Sequence, residues 1–105
     1  MKADPRRALL HSLLRALMDK EKIETTQAKA KEMRSFAEKL ITRAKGGSLA
    51  DRRHIAKTLG DTLGKKLIEK IAPTFKDRKG GYTRVIKLGS RQSDSAKIAI
   101  IELVK

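Results

Sequence analysis

A chain of 105 residues and 11.7 kDa has room for one domain, over residues 1–105, and not for a second core. It holds 26 Lys plus Arg against 12 Asp plus Glu, a net charge of +14, which draws polyanions: nucleic acid, an anionic membrane surface or acidic protein. The absence of cysteine excludes disulfides and thiolate metal sites, and no apolar run approaches the roughly 18 residues of a membrane span, so the chain reads as soluble and intracellular.

The first predicted element is a helix opened by Asp4 as cap and Pro5 at the first helical position, running to about Asp19. Leu10, Leu13, Leu14 and Leu17, widened by Leu9 and Met18, form its core stripe, leaving Arg6, Arg7 and Arg15 to solvent or a partner. This Arg-bearing segment imitates a mitochondrial presequence but reads better as a structural helix. KIETT, residues 22–26, is β-branched enough for a brief strand, after which Thr25 or Thr26 caps a second helix. Met33, Phe36, Ala37, Leu40, Ile41 and Ala44 mark that helix's buried face, and Gly46-Gly47 ends it. Ser48 with Asp51 opens a short third helix to Gly60; Asp61 caps a fourth, carried by Leu63, Leu67, Ile68 and Ile71 and stopped by Pro73.

Beyond Pro73 the periodicity changes. YTRVIKL, 82–88, and KIAIIELV, 97–104, predict an antiparallel strand pair across the turn GSRQSDS. Both strands carry apolar residues on both faces; one face belongs on the helices, and the cover of the other is left open. The expected fold is α+β in two layers, with about four helices packed on a small sheet.

Positive charge recurs in every part of the chain: +3 in residues 1–20, 21–45 and 46–72, and +5 in 73–105. The stretch DRKGGYTRVIKLGSRQ, 77–92, is the densest. With Lys76 before it, it places Arg78, Lys79, Arg84, Lys87 and Arg91 around Gly80-Gly81 and Tyr82. Arginine's planar fork suits phosphate, and a double glycine lets backbone N–H groups approach a ligand. Tyr82 has two readings, stacking on a base or packing in the core. Thr25, Thr26, Lys29, Lys31 and Arg34 lie near a helix N-terminus, where lysines oppose the dipole unless an anion sits beside them. The loop 76–81 is expected to order on binding.

Other chemistry finds little support. Aromatics at 3% are too few for a base-stacking sheet of the RRM or OB kind. His11 and His54 stand alone, without metal-ligand spacing. GDTLGKK, 60–66, lacks the spacing and hydroxyl of a phosphate-binding loop. Scattered carboxylates give no acid–base pair, so neither enzyme activity, cofactor nor small-molecule substrate is expected.

IETTQAKAKEMR with EKLIT, then APTFKDRKGGYTRVIKLGSRQSDSAKIAIIELV, closely resembles the bacterial large-subunit ribosomal protein family numbered seventeen, from about Arg7 to Val104. The resemblance implies a non-catalytic protein of the cytoplasmic ribosome. It would bind large-subunit rRNA near the polypeptide exit tunnel among neighbouring ribosomal proteins, and support assembly and translation. Two departures from the family pattern stand out. Only Met1, Lys2 and Ala3 precede Asp4 where a basic extension is usual, and Ser93 replaces the usual glycine before Asp94 in the final turn. Composition by itself permits a rival, a free-standing nucleic-acid-binding regulator or architectural protein, and more distantly a membrane-surface binder using the first helix.

Overall fold

The computed structural model describes residues 5–104, so the expected cap Asp4 lies outside the described residues. Helix α1 spans Pro5–Lys20, strand β1 Lys22–Thr26, α2 Gln27–Gly46 and α3 Leu49–Leu59. Helix α4, Asp61–Lys66, continues through a π-helical turn, Leu67–Ile71, into α5, Ala72–Thr74; strands β2, Thr83–Ser90, and β3, Lys97–Leu103, follow. The result is the expected two-layer α+β arrangement of four helical rods on a small sheet.

Local chemistry sets most boundaries. The Thr26 hydroxyl accepts from the Lys29 amide at 3.3 Å and caps α2; Gly47, at φ +68°, ends it by donating to Arg43 O. Ser48 Oγ accepts from the Asp51 amide at 3.1 Å to start α3. Asp61 does not cap the fourth rod as expected. Gly60, at φ +86°, occupies the cap, and no side chain bonds the exposed amides there. Gly64 lies within α4 and packs on α3, where an added Cβ would meet Ile55 Cγ2 at 3.4 Å. Lys66 donates to Asp19 O at 2.7 Å and pairs with Glu21 at 3.4 Å, so GDTLGKK serves packing between helices.

Pro73 does not stop the fourth rod where expected. In the π turn the Ala72 N–H bonds Leu67 O, five residues back, so the ladder is already opened where proline lacks its donor; the helix ends at Thr74.

The sheet is antiparallel with order β1-β3-β2, so KIETT becomes one edge and β3 the centre. Thr83, Val85, Ala99, Ile101, Leu103 and Ile23 face the helices, where Ala30, Met33, Ala37, Ile41 and Ala44 of α2 meet them. Two expected core residues fall outside this seam. Leu9 is 43% exposed and Phe36 is 44% exposed, because residue 36 is rotated about 100° from Ala37 around the helix and points along the flank toward α1 and α3. No helix of the described residues covers the outer sheet face. Ile86 there and Leu88, at a bulge between Lys87 and Gly89, are 37% and 50% exposed.

Candidate nucleic-acid interface

Helix α2 builds the site because of how it crosses the sheet. It starts at Thr26 on the β1 edge, in register with Ile98 of the central β3, and by Glu38 it has reached Thr83 of β2 on the other side of the sheet. Lys31 and Arg34, three residues apart and both exposed, share one stripe with Glu38, four residues further on. The two cations therefore share the side of α2 from which Glu38 reaches β2. Lys87, on the helix-facing side of β2 by alternation with Thr83 and Val85, is exposed at the level of Thr25, with Ala99 of β3 between them. Arg84 lies on the opposite face, in register with Glu102 and paired to it at 3.4 Å. The charges of the 84–87 stretch thus divide between two faces.

The loop before β2 is held internally, contrary to the expectation that it waits for a ligand to order it. Glu38 accepts from the Gly81 amide at 3.0 Å and from the Thr83 amide and hydroxyl, each at 2.8 Å. Lys45 donates to Arg78 O and, at 3.1 Å, to the Tyr82 hydroxyl. The Arg78 guanidinium donates to Gly81 O at 3.1 Å. The Gly81 amide, at a φ of +67° that suits glycine, is therefore engaged within the fold and not offered to a ligand. Lys76, Lys79 and Gly80 remain exposed on the loop surface.

Tyr82 is a core residue and not a stacking platform. It is 1% exposed, and its ring packs against Phe75 at 5.2 Å between centroids. Hydrogen bonding to Thr42, reinforced by Lys45, holds its phenol below the usual tyrosine range against the opposing effect of burial. Arg91 is likewise absorbed by the fold: it grips Asp94 at 3.1 and 3.2 Å inside the β2–β3 turn. The Ala96 amide, with Arg91 beside it, keeps the Asp94 carboxyl below its ordinary value. The left-handed position of that turn falls at Ser95, φ +59°, so Ser93 is accommodated without positive φ.

The remaining predicted residues gather elsewhere. Thr26 is the cap of α2, and Thr25 pairs with Ala99 in the sheet. Arg6 bonds Glu32 at 2.9 Å across α1 and α2; Arg7 lines a groove between these helices and α3, and Lys29 flanks a smaller hollow beside it. The predicted residues fall into two groups: along α2 and β2 a strip made of Lys31 and Arg34 on the Glu38 side of α2, Lys76 and Lys79 on the loop that Glu38 anchors, and Lys87 on β2; and Arg6, Arg7 and Lys29 at the hollows between α1 and α2. Glu38 and Lys45, which hold the loop in place, are positions the sequence does not reveal. A glutamate among lysines on a helix reads as charge balance, and only the fold brings it to the loop.

Among the described residues no three His, Cys, Asp or Glu side chains are placed to hold a metal ion, and no helix is long and apolar enough to cross a membrane. The geometry describes a basic, polyanion-binding module whose cations are displayed on a braced frame. The comparisons with known proteins carry this to a family. The family model described as ribosomal protein L17 matches residues 9–104. Similar proteins include the large ribosomal subunit protein bL17 of Borrelia turicatae, 52% identical over 98% of this chain and 84% of that one. Those of Desulforudis audaxviator (47%, covering 99% and 94%) and Natranaerobius thermophilus (53%, covering 97% and 91%) are comparable. The chain belongs to the ribosomal protein L17 family.

Proposed function

We propose that this protein is a structural constituent of the large ribosomal subunit, binding large-subunit rRNA through the strip along α2 and β2 and supporting assembly and translation. The observation that carries the reading is the family match over residues 9–104, which takes in both sides of that strip. The role involves no catalytic step, and its place of work is the cytoplasmic ribosome. Within the subunit we assign it to the neighbourhood of the polypeptide exit tunnel, among other ribosomal proteins, where a thin charged plate neutralises phosphates of converging RNA segments.

Gradient sedimentation of a gently prepared lysate, at moderate and then high salt, tests the assignment. Persistent co-migration with the large subunit is expected; migration as free protein or with bulk nucleic acid would favour the free-standing regulator. Reversing Lys31, Arg34 and Lys87 to Glu should weaken rRNA binding and flatten its dependence on salt. Each lost phosphate contact reduces the slope of log K against log salt by about 0.7–0.9. An unchanged slope would remove the strip from the interface.

A further inference from the structure

The groove between α1, α2 and α3 encloses roughly 800 Å³, within the range of about 300–1,000 Å³ common for small-ligand sites. Leu10, Leu14 and Leu40 contribute to its apolar lining, with the ring of Phe36 among them. Of the chain's three aromatic residues, Phe75 and Tyr82 are each 1% exposed in the core, whereas Phe36 is 44% exposed. A large ring left at the surface beside an apolar hollow is costly unless something covers it.

The surroundings say what kind of occupant fits. Arg7 and Lys57 border the groove and form no ion pair among the described residues, and the Lys39 ammonium stands 5.9 Å from the Phe36 centroid. The one carboxylate lining the groove, Glu32, is engaged by Arg6 at 2.9 Å. His11 and His54 also line it; burial, with Arg15 and Arg7 nearby, lowers the His11 pKa, leaving a neutral imidazole that can both donate and accept. An apolar peptide side chain has no use for such a rim. A planar group bearing an anion uses both features.

We infer that this groove receives an unstacked nucleotide of the RNA, its base against Phe36 and its phosphate between Arg7 and Lys57. This second contact rests on the reading of the protein as an rRNA binder and adds a site separate from the strip along β2. Base stacking on an aromatic ring tolerates any base, so the contact anchors position without reading sequence.

The test places a photoactivatable benzoylphenylalanine at residue 36 of the full chain and isolates large subunits before irradiation. A crosslink to one rRNA nucleotide is the expected result; a crosslink to a neighbouring protein, or none, overturns the inference. Phe36→Leu should lower affinity for isolated large-subunit rRNA about tenfold, with Phe36→Tyr restoring it. The exposed position should leave the melting temperature of both variants unchanged, separating loss of contact from loss of fold. Equal binding by Phe36→Leu also overturns it. If the unsubstituted protein does not co-sediment with the subunit, the rRNA reading itself fails and the groove assignment falls with it. Normal co-sedimentation with a silent residue 36 rejects the groove alone.

Discussion

Glu38 shows how one side chain converts a glycine-containing turn into a fixed presentation of charge. Its two carboxylate oxygens take three hydrogen bonds from Gly81 and Thr83, and Lys45 braces Arg78 and Tyr82 beside them. Charged hydrogen bonds of this kind contribute about 1.5–3 kcal/mol each at most, less where solvent reaches them. Glu38→Gln, which sets an amide donor against backbone donors, should therefore cost about 1–3 kcal/mol in denaturant unfolding. It should also speed amide exchange at Gly81 and Thr83 in the free protein. The variant carries one more unit of positive charge, yet rRNA binding should weaken, since loop ordering would then oppose association. Tighter binding would show that charge alone governs the contact. In the unsubstituted protein the same two amides should be protected without RNA, as partners within the fold require.

At the scale of elements, the transition from β1 into α2 joins the sheet to the strip. Thr26 ends β1 by pairing with Ile98 and starts α2 by accepting from the Lys29 amide, which fixes where the helix leaves the β1 edge to cross the sheet. Thr26→Ala should lower stability by about 1 kcal/mol, the usual worth of an N-cap, while Thr26→Ser should keep most of it. If Thr26 acts as cap alone, the salt slope of rRNA binding will be unchanged in both. A reduced slope in Thr26→Ala would mean that the strip depends on this joint. The fourth rod makes a related point about boundaries. Proline predicts a stop, but the π turn before it had already released the ladder, and helix continues two residues past Ala72.

As a whole, the molecule measures 45 × 39 × 19 Å, a plate two layers thick with broad faces and little interior volume. Its +14 charge is spread over those faces, so the isolated protein works against its own repulsion. Raising salt from about 0.01 M to 1 M shortens the screening length from about 30 Å to about 3 Å. The melting temperature of the free protein should therefore rise across that interval, followed by circular dichroism. A fall would show that its five described ion pairs outweigh the repulsion.

Helix positions, the β-branched strands and several of the caps were legible in the sequence because each depends on neighbours within a turn or two. Thr26, Ser48 and Gly47 act locally, and the stripe from Met33 to Ala44 carries its period wherever the helix packs. The basic surplus, and with it the polyanion partner, was legible for the same reason: charge is additive and needs no fold. What the tertiary structure alone decided was which charges act together. Glu38 meets Gly81 across 43 residues, Lys45 meets Tyr82 across 37, and Arg6 meets Glu32 across 26. Such pairs depend on how α2 crosses the sheet, and no local pattern encodes that crossing. Tyr82 went to the core, packed on Phe75, and Phe36 to the flank, because α2 turns its Ala37 side toward the sheet and leaves residue 36 about 100° away from it.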